Sequence, residues 1–255
     1  MKIAPVLRYP GAKWRIANWI ISYIPPHTHY LEPYFGSGAV FFNKPPSKVE
    51  TINDIDGQVA NMFRVLREQP DELARLIEFT PWSRQEYYES YQLTGEPLED
   101  ARRFLVRCWQ GHSTMLNHRT GWRNDVSGDP QTVTARVFKT LPKRLLQLSN
   151  RLKDAQIENL PAAEVIARHN HSAVLIYADP PYQINTRAGT LYTHEMTDSD
   201  HEELLEVLDK HPGPVLLSGY ANPMYDERLK HWDRVTKRAL AEKGKERMEV
   251  LWINN

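Results

Sequence analysis

The sequence predicts an α/β fold: a mostly parallel sheet with helices on both faces, closed at one edge by an antiparallel pair. Three observations carry this prediction. Short apolar runs such as Val174–Ala178 and Val215–Ser218 have the length of buried strands and end in loops. Stretches of helical periodicity alternate with such strands in residues 1–57 and 153–255. Residues 58–152 read almost wholly as helix and loop, so they are expected to be a mainly helical region inserted into one α/β domain.

In chain order, Trp14 to Ile24 reads as a short amphipathic helix stopped by Pro25-Pro26, and a strand opens at His29. A glycine turn at Gly36-Ser37-Gly38 leads into a helix start, and Val49 to Asp56 is a second strand with acids at its end. Val59 to Arg67 has helical spacing, with Pro70 as its stop. Asp71 to Phe79, Ser83 to Tyr91 and Pro97 to Trp109 follow as helices, separated by Pro81 and Gly95. Gln110 to Gln131 is polar and punctuated by Gly111, Gly121, Gly128 and Pro130, with a hairpin tip at Arg119-Thr120-Gly121-Trp122. Ala135 to Leu152 returns to helix, broken or bent near Pro142. Ala155–Glu158 is a strand and Ala162 to Arg168 a helix. Ser199-Asp200-His201-Glu202 is expected to open the next helix as a capping box. Trp232 to Arg238 and Met248 to Ile253 complete the chain as an antiparallel pair.

Length and composition restrict the function. At 255 residues the chain can bury a full α/β core with a modest insertion. Its single cysteine, Cys108, excludes an internal disulfide and fits a reducing compartment. No apolar run approaches the ~18 residues of a membrane span, and no secretory apolar stretch opens the chain. A cytoplasmic protein with no membrane contact is expected. His27-Thr28-His29 and His169-Asn170-His171 lack a companion cysteine or glutamate at ligand spacing, so no metal is expected.

Two strings carry chemistry. Val174–Ala178 delivers Asp179-Pro180-Pro181-Tyr182 to a strand's carboxyl end, where open α/β sheets bind ligands. These residues suit a flat base bearing an exocyclic amine. Asp179 accepts an amine hydrogen bond, and the prolines stiffen the turn and leave the Pro180 carbonyl as a second acceptor. Tyr182 offers a stacking face. Taken alone, the string is equally compatible with an ordinary strand-to-loop turn. The second string, His29 to Val40, places Gly36 and Gly38 where a ligand approaches backbone closely. It is not the dinucleotide fingerprint, because Phe41 stands at the third glycine position. About 20 residues further on, the second strand ends in Asn53-Asp54-Ile55-Asp56, the spacing at which an acid binds ribose hydroxyls. Considered singly, Asp54 is as well explained as a helix cap and Lys13 as a surface lysine.

In this order, the blocks Tyr9-Pro10-Gly11-Ala12-Lys13, Glu32-Pro33-Tyr34-Phe35-Gly36-Ser37-Gly38-Ala39, Asn53-Asp54-Ile55-Asp56 and Asp179-Pro180-Pro181-Tyr182 resemble the Dam-like, D12 class of DNA adenine methyltransferases. The resemblance runs from about Tyr9 to Ile253. It implies a Rossmann-like methyltransferase sheet with an inserted target-recognition region, and S-adenosyl-L-methionine as cofactor. It implies transfer of the donor's methyl group to adenine N6 in a specific DNA sequence, on a base flipped out of the duplex. The residues carried over to the donor are Tyr9, Lys13, Glu32, Phe35, Gly36, Ser37, Gly38, Asp54 and Asp179. Those carried over to catalysis are Asp179, Pro180, Pro181 and Tyr182.

Net charge is zero, with 32 basic and 32 acidic residues, which by itself argues against a nucleic-acid partner. The distribution argues for one. Between Arg102 and Arg151 lie Arg102, Arg103, Arg107, Arg119, Arg123, Arg136, Lys139, Lys143, Arg144 and Arg151, against only Asp125 and Asp129. Double-stranded DNA is the expected partner, with Arg119, Trp122, Arg123 and Asn124 near bases or phosphates; solvated helix faces are the plain alternative. A monomer is expected, and one chain does not reveal whether a cognate nuclease exists. The rival functions are methylation of another amine, RNA adenine or cytosine N4, and a non-catalytic DNA-binding relative.

Overall fold

The computed structural model describes residues 4–116, 118–124, 134–187, 189–240 and 246–255. In chain order the elements are α1 (Ala17–Ile21), β1 (His29–Glu32), α2 (Ala39–Asn43), β2 (Val49–Asn53), α3 (Gly57–Glu68), α4 (Pro70–Glu78), α5 (Arg84–Glu89) and α6 (Pro97–Gln110). They continue with α7 (Thr134–Phe138), α8 (Leu141–Leu152), β3 (Ala155–Glu158), α9 (Ala162–Arg168), β4 (Val174–Ala178), α10 (Asp198–Asp209), β5 (Val215–Tyr220), α11 (Pro223–Arg228), β6 (Asp233–Leu240) and β7 (Glu246–Asn254). Two compact units result: a sheet unit of residues 13–55, 154–190 and 194–255, and a helical unit of residues 1–12, 56–153 and 191–193.

The sheet unit holds seven strands in the order β3-β2-β1-β4-β5-β7-β6. The pairs from β3 to β5 are parallel, and β7 runs antiparallel to both β5 and β6. This is the predicted mostly parallel sheet with its closing antiparallel pair. Every residue of β4 is buried, as a central parallel strand covered on both faces requires. Strand order reverses between β1 and β4, so the carboxyl ends of these strands flank the topological switch point. One core cluster includes Leu31 of β1, Ile176 of β4, Leu204, Leu205 and Leu208 of α10, and Val250 and Trp252 of β7.

The helical unit is built on amphipathic helices. In α6, Ala101, Phe104, Leu105, Cys108 and Trp109 face inward, and in α8, Leu141, Leu145, Leu148 and Leu152 do. Residues 191–193 join this unit through a hydrogen bond of 2.9 Å from the Leu116 N–H to the Leu191 carbonyl.

Three local expectations are corrected. Pro70 begins α4 rather than merely ending α3, because proline at the first helical turn gives up an N–H that has no intrahelical partner. The break expected near Pro142 falls at Lys139-Thr140, and Pro142 likewise sits in a first helical turn, that of α8. The capping box of α10 is Thr197 with Asp200, two residues earlier than the Ser199 reading; Thr197 and Asp200 each accept the other's backbone N–H. Trp122 is no hairpin tip, since it bridges Gly111 and closes the loop at its base. Asp125, Gly128, Asp129, Pro130 and Gln131 lie outside the described residues.

Candidate active site

Asn53, at the carboxyl end of β2, braces the loops around the switch point. Its side-chain amide donates to the Pro33 carbonyl at 2.9 Å and to the Leu160 carbonyl at 3.0 Å, and its Oδ1 accepts the Leu160 N–H at 2.9 Å. The Asn53 carbonyl accepts the Phe35 N–H at 2.9 Å. The glycine loop between β1 and α2 is thereby fixed to the end of β2.

Within that loop Gly36 and Gly38 both have positive φ, 49° and 66°. Any side chain at Gly38 would collide with aromatic rings, because its Cβ would lie 2.5 Å from Phe35 and 2.7 Å from Phe42. Phe35 itself is buried, with its ring 5.6 Å from that of Phe41. Ser37 is buried and accepts the Trp14 indole N–H at 3.0 Å. The Gly36 N–H donates to Asp54 Oδ2 at 2.8 Å. Asp54 is therefore not a helix cap. That task falls to Asp56, whose side chain accepts the Gln58 N–H at the start of α3.

Glu32 ends β1 as a buried acid. Its Oε2 accepts the Tyr30 hydroxyl at 2.6 Å, and burial pushes its pKa up to about 8. Beneath the same strand, Lys44 pairs with Glu50 at 2.5 Å and lies 4.1 Å from the Tyr30 ring. Nothing in the sequence singled out this buried pair, because Lys44 and Glu50 read as ordinary surface charges.

The end of β4 carries the densest set of functional groups. Lys13 Nζ lies 3.0 Å from Asp179 Oδ1 and 4.7 Å from the centroid of the Tyr182 ring. The Tyr182 hydroxyl donates to Glu249 Oε2 at 2.8 Å, and its ring meets that of Tyr220 at 4.6 Å and 71°. Arg187 Nε donates to the Tyr182 carbonyl at 2.6 Å, and the Arg187 guanidinium pairs with Glu195. Burial raises the Asp179 pKa, opposed by the Lys13 charge and hydrogen bonds from Lys13 and Tyr182. The Asp179 side chain as a whole keeps 18% exposure. Pro180 is buried and Pro181 half-buried.

Sequence reasoning missed Tyr220, Arg187 and Glu249. The signal for Glu249 was a lone acid inside the apolar run Val250-Leu251-Trp252-Ile253 and its flanks. A strand buried on both faces has no polar alternation against which that acid could stand out.

In the helical unit, Tyr9 lies against Tyr192, ring centroids 6.1 Å apart. Arg119 and Asn124 are exposed, Trp122 and Arg123 half-buried. The Arg119 guanidinium sits 5.0 Å from the Tyr88 ring, and that of Arg84 sits 5.0 Å from the Trp122 ring. Arg123 donates to the Gly111 carbonyl at 3.1 Å and to the His112 carbonyl at 2.6 Å. The basic segment is partly neutralised at home. Arg102 pairs with Glu86 and Glu99, Arg103 with Glu99, and Arg107 reaches the Ser90 carbonyl and Gln58. Burial pushes the Cys108 thiol up to about 12, which makes it packing rather than a nucleophile. The described residues hold no group of three or more metal-ligating side chains, and no helix long and apolar enough to cross a membrane.

A mostly parallel sheet of this order, with Asp-Pro-Pro-Tyr and the glycine loop at the carboxyl ends of the strands that flank its switch point, defines a ligand-binding α/β protein. The chain belongs to the D12 class N6 adenine-specific DNA methyltransferase family, whose model matches residues 9–247. It is similar to the type II methyltransferase M1.LlaDCHI of Lactococcus lactis subsp. cremoris, at 23% identity over 91% of this chain and 87% of that one. It is also similar to the DNA adenine methylase of Salmonella typhi, at 24% identity over 84% and 80%, and to the type II methyltransferase M.MjaIII of Methanocaldococcus jannaschii, at 24% over 87% and 86%. The protein is therefore an enzyme that methylates adenine in DNA, and the RNA and cytosine alternatives fall away.

Proposed function

We propose that the enzyme binds S-adenosylmethionine over the Glu32–Ala39 loop and transfers its methyl group to an adenine flipped out of double-stranded DNA. The chemistry of the groups present fits the donor. The Gly36–Gly38 turn leaves backbone without side-chain bulk, and Asp54 at the end of β2 suits ribose hydroxyls. Glu32, Phe35 and Ser37, buried in the same loop, are assigned to the donor together with Gly36 and Gly38. When bound, the donor supplies an electrophilic methyl on a sulfonium.

The chain's residues address the acceptor. The adenine amine is a weak nucleophile because its lone pair is delocalised into the ring. Asp179 and the Pro180 carbonyl each accept one amine hydrogen, which favours a pyramidal nitrogen with a localised pair. As positive charge grows on that nitrogen, the Asp179 carboxylate stabilises it. Pro181 keeps the turn rigid, and Tyr182 stacks on the base. Lys13 favours the ionised form of Asp179 against the burial that raises its pKa. The helical unit serves target recognition, with Arg119, Trp122, Arg123 and Asn124 nearest the DNA.

The observation that carries this reading is the cluster of Asp179, Lys13 and Tyr182 at the carboxyl end of β4. Asp179→Ala tests it, since loss of a positioned acceptor costs about 10²–10³ in turnover with the fold retained. A variant keeping more than about a tenth of wild-type turnover contradicts the role given to Asp179.

A further inference from the structure

Tyr182 is held at its carbonyl, its ring and its hydroxyl, and the partner of the hydroxyl is a buried acid. Glu249 lies on β7, its Cα paired with that of Tyr220 on β5. Its side chain turns inward and is only 8% exposed. The Oε2 atom accepts the Tyr182 hydroxyl at 2.8 Å, while the Tyr220 ring abuts the Tyr182 ring at 4.6 Å. Arg187 fixes the Tyr182 carbonyl at 2.6 Å. Backbone, ring edge and ring tip are thus each tied to a different element.

A buried acid costs desolvation, and β7 has no packing need for one, because Val250, Leu251 and Trp252 beside it are buried apolar residues. The hydroxyl of Tyr182 alone needs only a neutral acceptor. What the glutamate adds is direction: with Tyr220 at its edge and Glu249 at its tip, the ring has one orientation. A ring set beforehand loses no rotational freedom when a flat base settles on it.

We infer that Glu249 is a positioning residue for methyl transfer, acting through the Tyr182 hydroxyl to hold that ring at the angle required by the target adenine. This rests on Tyr182 being the surface on which the base stacks.

A double-mutant cycle on the full-length enzyme tests it, with kcat, KM for DNA, donor Kd and Tm measured for each variant. Glu249→Gln keeps an acceptor and should stay within about threefold of wild-type kcat. Glu249→Ala should lose about tenfold in kcat with donor Kd unchanged, and Tyr182→Phe should lose a similar factor. Together they should cost no more than Tyr182→Phe alone, because Glu249 acts through the hydroxyl that this change already removes. Should the alanine variant fail to fold, Glu249→Met fills the same volume without an acceptor and takes its place in the cycle. Full multiplication of the two losses, or wild-type kcat in Glu249→Ala, overturns the inference. So does a Gln variant as slow as the Ala variant at unchanged Tm. Tyr182→Ala separates the layers: wild-type turnover there removes the stacking role and this inference with it. A slow Tyr182→Ala beside an additive cycle overturns the inference about Glu249 alone.

Discussion

The Lys13 ammonium lies 3.0 Å from Asp179 Oδ1 and faces the Tyr182 ring at 4.7 Å, so one cation touches both the acid and the aromatic of the Asp-Pro-Pro-Tyr turn. Burial raises the Asp179 pKa and Lys13 opposes the rise. Methyl transfer needs the carboxylate form, so activity is lost as pH falls through the folded pKa. Lys13→Met removes the opposing charge and should move the acid limb of the kcat–pH profile to higher pH. An unmoved or lowered limb would show that Lys13 does not set the ionisation of Asp179.

A second pH effect belongs to Glu32. Its folded pKa of about 8 lies above the ordinary 4.5, so the native state binds this proton more tightly than the unfolded chain does. Its contribution is fully present below about 4.5 and is lost as pH rises through about 8. Glu32→Gln keeps an acceptor for the Tyr30 hydroxyl and has no proton to lose. The Tm of wild type should therefore fall relative to that of the variant between pH 5 and 8. Parallel Tm curves would contradict a neutral Glu32.

The glycine loop offers a test that separates stability from binding. Gly38→Ala puts a side chain at φ 66° and against the Phe35 ring, and should destabilise the fold by ~1–3 kcal/mol in denaturant titration. Gly36→Val, at φ 49° in the same loop, carries the same kind of backbone strain and should in addition abolish donor binding in calorimetry on the folded variant. Unchanged donor affinity in Gly36→Val refutes the placement of the donor.

Much of this arrangement was legible in the sequence because parallel strands announce themselves. Val174–Ala178 and Val215–Leu217 are apolar at every position, and Asp-Pro-Pro-Tyr follows directly at the carboxyl end of the first. The boundaries of β3, α9 and β4 agree with the expectation residue for residue. Prolines and caps were harder, since Pro70 stops one helix and starts another, and Thr197 competes with Ser199 as a cap by two residues of register. The partners of charged side chains were not legible at all. Counting bases from Arg102 to Arg151 overlooked Glu86 and Glu99, which lie outside that window in sequence and neutralise Arg102 and Arg103 in space. Glu249 was hidden for the same reason, because only the pairing of β7 with β5 brings it to Tyr182.

Those charge pairings sharpen what to expect of the DNA-facing arginines. Arg119 is exposed and rests its guanidinium 5.0 Å from the Tyr88 ring, so its donors point to solvent rather than into the fold. Arg123 donates hydrogen bonds to the Gly111 and His112 carbonyls, beside the bridge between Gly111 and Trp122. Arg119→Ala should leave Tm unchanged and act on DNA alone. If Arg119 reads a base, the loss is about 1–3 kcal/mol and preference relaxes at one position. If it meets a phosphate, all sequences weaken together and the salt dependence of binding falls by about one ion. Arg123→Ala should lower Tm as well as DNA affinity, because two carbonyls lose their donor and the loop loses its closure. Arg123→Lys restores the charge without the planar fork and should recover little of that stability. Equal DNA defects in the two alanine variants at equal, wild-type Tm would mean that Arg123 does not hold the loop. Unchanged DNA affinity and sequence choice in both would remove this surface from recognition altogether.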